Sequence, residues 1–151
     1  MAPIEGTLRN NPAIAMLAEG DIEQARLFWR DVMGLEEVYH DRVIGEAAFR
    51  SGGTVFGIYQ HSGGSKADHT QLAFQVDDVP RTVEAIRSRG VQFEEYDLQN
   101  LKTHNGVAEM GETGQGAWFK DPGGNIIGIL TTSDTLVGAI AARPVIEASV
   151  L

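Results

Sequence analysis

Four imidazoles are the most versatile chemical groups in this chain: His40, His61, His69 and His104. His69 stands two positions before Gln71, so one strand would carry both on the same face. An imidazole titrating near neutrality can take or return a proton while the amide orients a carbonyl. His69 and Gln71 are therefore the candidate catalytic pair. An alternative set is His69 and His61 with Glu46 or Glu109, two imidazoles and a carboxylate around one divalent ion. No two histidines lie one helical turn apart to reinforce it. Cysteine is absent, which removes disulfides, thiolate metal sites and a cysteine nucleophile. No serine sits in a nucleophile elbow. The run Gly111–Gly116 is glycine-rich, but it lacks the dinucleotide spacing and leads into no helix, so it reads as a loop.

These groups sit in a chain of 151 residues, enough for one domain or two small halves folded as one. At that length roughly 70% of the unfolded surface can be buried, so a core needs no staples. Twelve Lys and Arg against twenty-one Asp and Glu leave a formal charge of −9. A polyanion would be repelled, so nucleic acid is excluded as a partner, and a cationic metabolite would be weakly attracted. No apolar run approaches the ~20 residues of a membrane span, so no membrane role is expected. Met1–Gly6 lacks a charged n-region and an apolar h-region, so it is not read as a secretory leader. Together with the missing cysteines this fits a cytoplasmic protein.

The elements that must position the site occur twice. Residues 1–12 read as a polar arm. The apolar run 13–18 reads as a buried strand. Asp21 is placed to cap a helix whose stripe is Ile22, Ala25, Phe28, Trp29 and Val32, with Gln24 at the capping-box position and Gly34 as the stop. Strands are predicted at 37–39, 47–50 and 54–60, with Gly52-Gly53 turning between the last two. The pattern then returns: a strand at 71–76, Asp78 as cap, a stripe of Val79, Val83 and Ile86, and Gly90 as stop. A strand at 91–96, a long loop to about 114, and strands at 116–120 and 125–131 around Asp121-Pro122-Gly123-Gly124 complete it. Asp21 and Asp78 lie 57 positions apart, and Gly34 and Gly90 lie 56 apart. This predicts an α+β fold of two tandem βαβββ modules, at about 13–62 and 69–132, with an apolar tail from 133 to 151. Two such modules can set concave sheet faces around a common pocket.

Three stretches carry a family resemblance: Gly20-Asp21-Ile22 through Phe28-Trp29 to Met33-Gly34-Leu35, then Leu72–Asp78, then Trp118–Asn125. In that order they resemble the vicinal oxygen chelate superfamily, which includes glyoxalase I, extradiol dioxygenases, fosfomycin-modifying enzymes and bleomycin-binding resistance proteins. The resemblance implies paired βαβββ modules and, in metal-dependent members, four strand positions holding His, Glu or Gln around one ion. Those positions correspond here to Ile14, Gly57, Gln71 and Gly128. Three of them offer no side-chain donor, so no metal and no other cofactor is expected. One divalent ion at the relocated histidine set is the alternative.

If the old ligand positions face inward, strand alternation selects the pocket lining: Ile14 and Met16; Val55, Gly57 and Tyr59; Gln71, Ala73 and Gln75; Ile126, Gly128 and Leu130. Trp118 and Lys120 share a face of the preceding strand and are placed inward as well. His104 lies in the segment from Leu98 to Glu112, expected as a loop that lids one mouth. The lining is apolar, partly aromatic, and carries amides for orientation, which suits a flat organic guest. The tail carries Leu136, Val137, Ile140, Val145 and Ile146. It reads as a short helix from Asp134 to Arg143 that packs at a homodimer interface. The expected function is metal-free binding of a small aromatic or cationic molecule, as in sequestration of a drug or natural product. The alternative is an isomerase, cyclase, lyase or dioxygenase of secondary metabolism.

Overall fold

The computed structural model describes residues 8–111 and 114–131. The expected arm is described from Leu8 onward, where Leu8–Asn10 forms a short 3-10 turn. The tail and its expected helix lie outside the described residues. The chain divides into two compact units, residues 1–72 with 120–127, and residues 73–119 with 128–151. The architecture is α+β, with two sheets and few helices.

The first unit follows the predicted order. It runs β1 (Ala15–Glu19), α1 (Ile22–Leu27), β2 (Glu36–Asp41), β3 (Glu46–Ser51) and β4 (Thr54–Gln60). The strands align in the order β1-β4-β3-β2. β1 runs parallel to β4 with Met16 opposite Gly57, and β3 is antiparallel to β4 with Ala48 opposite Gly57. Asp21 caps α1 as its type and position demand, its carboxylate accepting from the Gln24 amide at 3.1 Å. Beyond Leu27 the helix widens, and Met33 N–H bonds the Phe28 carbonyl five residues back. Gly34, at φ 74°, then ends it. This turn buries Trp29 edge-on against Phe56 at 5.0 Å, so Phe56, Ile58, Ala47, Phe49 and Leu17 form the core under α1. Arg26 is buried beside that core. Its guanidinium grips Glu37 through two 2.7 Å bonds and Glu23 at 2.9 Å.

The second sheet orders β5-β10-β9-β8-β7-β6. Its strands are β5 (Thr70–Gln75), β6 (Asp97–Leu98), β7 (Leu101–His104), β8 (Val107–Met110), β9 (Gly114–Lys120) and β10 (Ile126–Leu130). The helix α2 (Val79–Arg87) follows β5, and the Asp78 carboxylate accepts from Arg81 N–H at 3.0 Å to cap it. Val79 and Val83 bury one helical stripe, as the spacing predicts.

Two expectations are corrected in this module. Residues 91–96 do not form a strand; Phe93 makes one isolated bridge to Phe119. The Tyr96 amide is taken by the Thr103 hydroxyl at 2.7 Å instead of by a ladder partner. The described part of the expected lid loop, 98–111, instead carries a pair of hairpins, β6–β7 and β7–β8. Asn105 and Gly106 turn the second hairpin at φ 52° and 80°, the paired positive angles of a two-residue I′ turn. That Asn-Gly signal stands in the sequence between two short alternating runs.

Candidate functional site

Strand alternation sorts the first unit's residues into two faces. Phe56, Ile58 and Phe49 face α1, so Val55, Gly57, Tyr59 and Ala48 face away from it. Met16, opposite Gly57, shares this second face. Its thioether lies across the glycine: a Cβ on Gly57 would stand 2.5 Å from the Met16 sulfur and 2.9 Å from its methyl. Gly57 is buried while Met16 is 46% exposed. Ile14 precedes β1 and is exposed.

The second unit repeats this arrangement with other residues. Ala108 stands opposite Gly116, and Met110 opposite Gly114. A Cβ on Gly116 would meet the Met110 sulfur at 2.7 Å, the Trp118 ring at 2.8 Å and the Leu130 side chain at 3.0 Å. Trp118 is buried, and Tyr96 packs edge-on against it at 5.8 Å and 76°. Trp118, Leu130 and Met110 therefore crowd over a bare glycine backbone, and Tyr96 backs Trp118. Met110 was not among the expected lining residues because its segment was read as a loop. Its signal is the Asn105-Gly106 turn pair that precedes the short run Val107–Met110.

Ala73 and Gln75 are exposed on β5, Gly128 is buried on β10, and Lys120 is exposed at the end of β9. His104 pairs across the hairpin with Val107, and Glu109 with Gln115, so these lie on the sheet face toward α2. They border a cavity of about 360 Å³ with Pro80, Val83, Glu84 and Asn105. This is the opposite face from Gly116 and Trp118.

His69 and Gln71 come together as their spacing predicts. The ring Nε2 lies 3.0 Å from the Gln71 amide nitrogen, so the amide donates and the ring accepts there. Nδ1 lies 3.4 Å from the Asp68 carboxylate. Both His69 and Asp68 are well exposed. His61, His69, Glu46 and Glu109 do not gather: among the described residues no three His, Asp or Glu side chains converge as a metal-holding group. Three of the four positions that the resemblance implies as ligands have side chains that do not suit a divalent ion. Ile14, Gly57 and Gly128 carry no donor atom, and the Met16 sulfur covers Gly57.

Among the described residues the most perturbed titratable group lies elsewhere in the first unit. Glu19, the last residue of β1, is fully buried. Asn125 reaches across to it, donating to the Ala18 carbonyl at 2.9 Å and to Asp121 at 3.0 and 3.1 Å, with Glu19 at 3.4 Å. Asp121 Oδ1 also accepts the amides of Gly123 and Asn125 at 3.0 and 2.9 Å. Burial, and then the hydrogen bond and charge of Asp121, push the Glu19 carboxyl up to about 10. Glu19 therefore enters the fold protonated and acts as a hydrogen-bond donor in a buried carboxyl–amide knot, within which the Asn125 Oδ1 is left without a hydrogen-bond partner.

A model of the Glyoxalase/Bleomycin resistance protein/Dioxygenase superfamily matches residues 12–129. No curated protein matches the chain. Similar solved structures include a bleomycin-binding protein complexed with bleomycin, 18% identical over 82% of this chain and 100% of its own, at a TM-score of 0.62. A genomically encoded fosfomycin resistance protein from Listeria monocytogenes is 18% identical over 83% and 96%, at 0.60. A lactoylglutathione lyase from Agrobacterium tumefaciens is 18% identical over 81% and 93%, at 0.58. At these identities the likeness is one of fold. Among the described residues no helix is long and apolar enough to cross a membrane.

Proposed function

The chain belongs to the Glyoxalase/Bleomycin resistance protein/Dioxygenase superfamily, and from that premise we propose that it binds a small organic molecule without a metal. One observation carries the reading. In the second unit, Trp118, Leu130 and Met110 close over the bare backbone of Gly116, with Tyr96 packed edge-on against Trp118, on the face turned away from the α2-side cavity. Apolar and aromatic walls over a flat floor hold a ring by burial and stacking. The formal charge of −9 favours a cationic guest over an anionic one. A relative of the same fold was solved with bleomycin bound. Sequestration of a drug or natural product, by a homodimer in the cytoplasm, is the role we propose.

The test is saturable quenching of tryptophan fluorescence by a panel of flat aromatic cations and anions, without turnover. Trp29 is the other tryptophan, so Trp118→Phe isolates its background. A cation that quenches only when Trp118 is present supports the reading. A full panel without saturable quenching removes it. The contact between His69 and Gln71 favours one second reading, proton transfer by an enzyme. Loss of turnover with binding retained in His69→Ala would select it.

A further inference from the structure

We infer that Met16 and Met110 are displaceable covers, each holding on a glycine floor the place that a planar, fused-ring aromatic guest takes. The inference rests on the binding reading above and specifies the class of guest. In the first unit the Met16 sulfur occupies the space directly over Gly57, 2.5 Å from where a Cβ would stand. In the second the Met110 sulfur lies over Gly116 at 2.7 Å, sharing that space with the Trp118 ring at 2.8 Å and the Leu130 side chain at 3.0 Å. The two arrangements are independent in sequence, one built on β1 and β4, the other on β8 and β9.

The burial pattern is that of a cover and not of a core filler. Gly57 and Gly116 are buried, while Met16 and Met110 are 46% and 42% exposed. The core of the first unit lies on the other face, at Phe49, Phe56 and Ile58; in the second, Ala117 and Phe119 are buried on the other face, while Ala108 and Trp118 are buried beside Met110 on its own face. A half-exposed methionine is held by few neighbours, and its unbranched stem swings at little cost. Once Met16 swings, Gly57 presents a flat peptide surface with no Cβ to hold a ring off; once Met110 swings, the opened space is bounded by Gly116, the Trp118 ring and Leu130. A fused aromatic ring lies flush on that surface. The displaced sulfur then meets the ring edge, a favourable sulfur–aromatic contact. In the second unit Trp118, braced by Tyr96, supplies the side wall. A globular aliphatic guest would use neither the flat floor nor the sulfur contact.

The methionines themselves provide the readout. The chain has four, and Met1 and Met33 serve as internal controls for Met16 and Met110. The full chain, labelled with ¹³C-methyl methionine, is titrated with a tricyclic diaminoacridine cation and, separately, with cyclohexylammonium. The expected result is an upfield ring-current shift of the Met16 and Met110 methyls that saturates with the Trp118 quenching, while Met33 stays still. Saturable quenching with both methyls unmoved overturns the covers and leaves the binding reading standing. Neither quenching nor shift overturns both. Saturable movement of the same methyls by cyclohexylammonium, in either direction and at a comparable affinity, overturns the planar-aromatic class. Met110→Ile keeps the bulk of the side chain but stiffens it at χ1. It is expected to weaken acridine binding at least severalfold with thermal unfolding little changed; unaltered affinity overturns the displacement.

Discussion

Replacing Glu19 by glutamine should make the protein more stable at neutral pH and flatten the dependence of stability on pH. In the fold this carboxyl keeps its proton up to about pH 10, against an ordinary value of 4.5. The unfolded chain releases the proton near that ordinary value. The folded state therefore binds one proton more than the unfolded state over the window between the two. Stability from this group is complete below about pH 4.5 and drains away as pH rises toward 10. The slope is about 1.4 kcal/mol per pH unit, so between pH 5.5 and 8 the wild type should lose about 3 kcal/mol through Glu19. That is a large share of the roughly 5–15 kcal/mol that holds a domain of this size. Glu37 and Asp41 do not contribute to this slope. Arg26 holds Glu37 low, and the Ile44 and Val43 amides hold Asp41 low, so both are ionised throughout the window. Glutamine keeps the shape and a donor for Asp121 without a proton to lose. Urea unfolding at pH 5.5, 6.5, 7.5 and 8, read by tryptophan fluorescence, measures the difference directly. The wild-type midpoint should fall steadily relative to Glu19→Gln, and the two curves should diverge with pH. Parallel curves, or a variant that is the less stable protein at pH 8, would refute a protonated Glu19.

Other perturbations test the remaining structural statements. Gly106→Ala places a methyl 2.9 Å from the Phe93 Cβ and 3.1 Å from Arg87 at a φ of 80°; it should cost about 1–3 kcal/mol, read as a lowered melting temperature. Arg26→Ala strands the partly buried Glu37 and should cost about 3–5 kcal/mol by denaturant titration. Glu37→Gln leaves a neutral partner for the guanidinium and should cost less. Gly57→Val drives a branched side chain into the space of the Met16 thioether and should lower affinity for a flat aromatic probe at least tenfold in fluorescence titration.

The parts of the fold that local chemistry determines were legible in the chain. Asp21 and Asp78 each accept from an amide three residues on, as a short carboxylate before a helical stripe predicts. The strands of the first unit fall within a residue or two of their apolar runs, because alternation survives where one face is buried. The second module was less legible. Thr103 and Val107–Met110 lie in runs too short for periodicity to register, and only Asn105-Gly106 betrayed the hairpin. Without that strand the face occupied by His104 had no defined direction, and Met110 had no reason to be considered. The Glu19 knot was hidden for another cause. Its partners lie more than a hundred positions away, and Asp121 and Asn125 read simply as turn residues. A buried acid at a strand end has no local signature.

The way β1 joins its sheet has a kinetic consequence. Strands β2, β3 and β4 form a meander of neighbours in sequence, and such short loops close fast. β1 must instead lie parallel to β4 from about forty residues upstream, and Asn125 reaches the Ala18 carbonyl across a separation of 107 residues. Long-range contacts of this kind are made after the local ones have paid the cost of collapse. The meander then belongs to the folding nucleus, and the clasp between β1 and the 121–125 turn snaps shut late, after the barrier. Weakening the clasp by Asn125→Ala should leave the refolding rate almost unchanged and speed unfolding. The lifetime of the native state is set at that junction, by the last contact to form and the first to open.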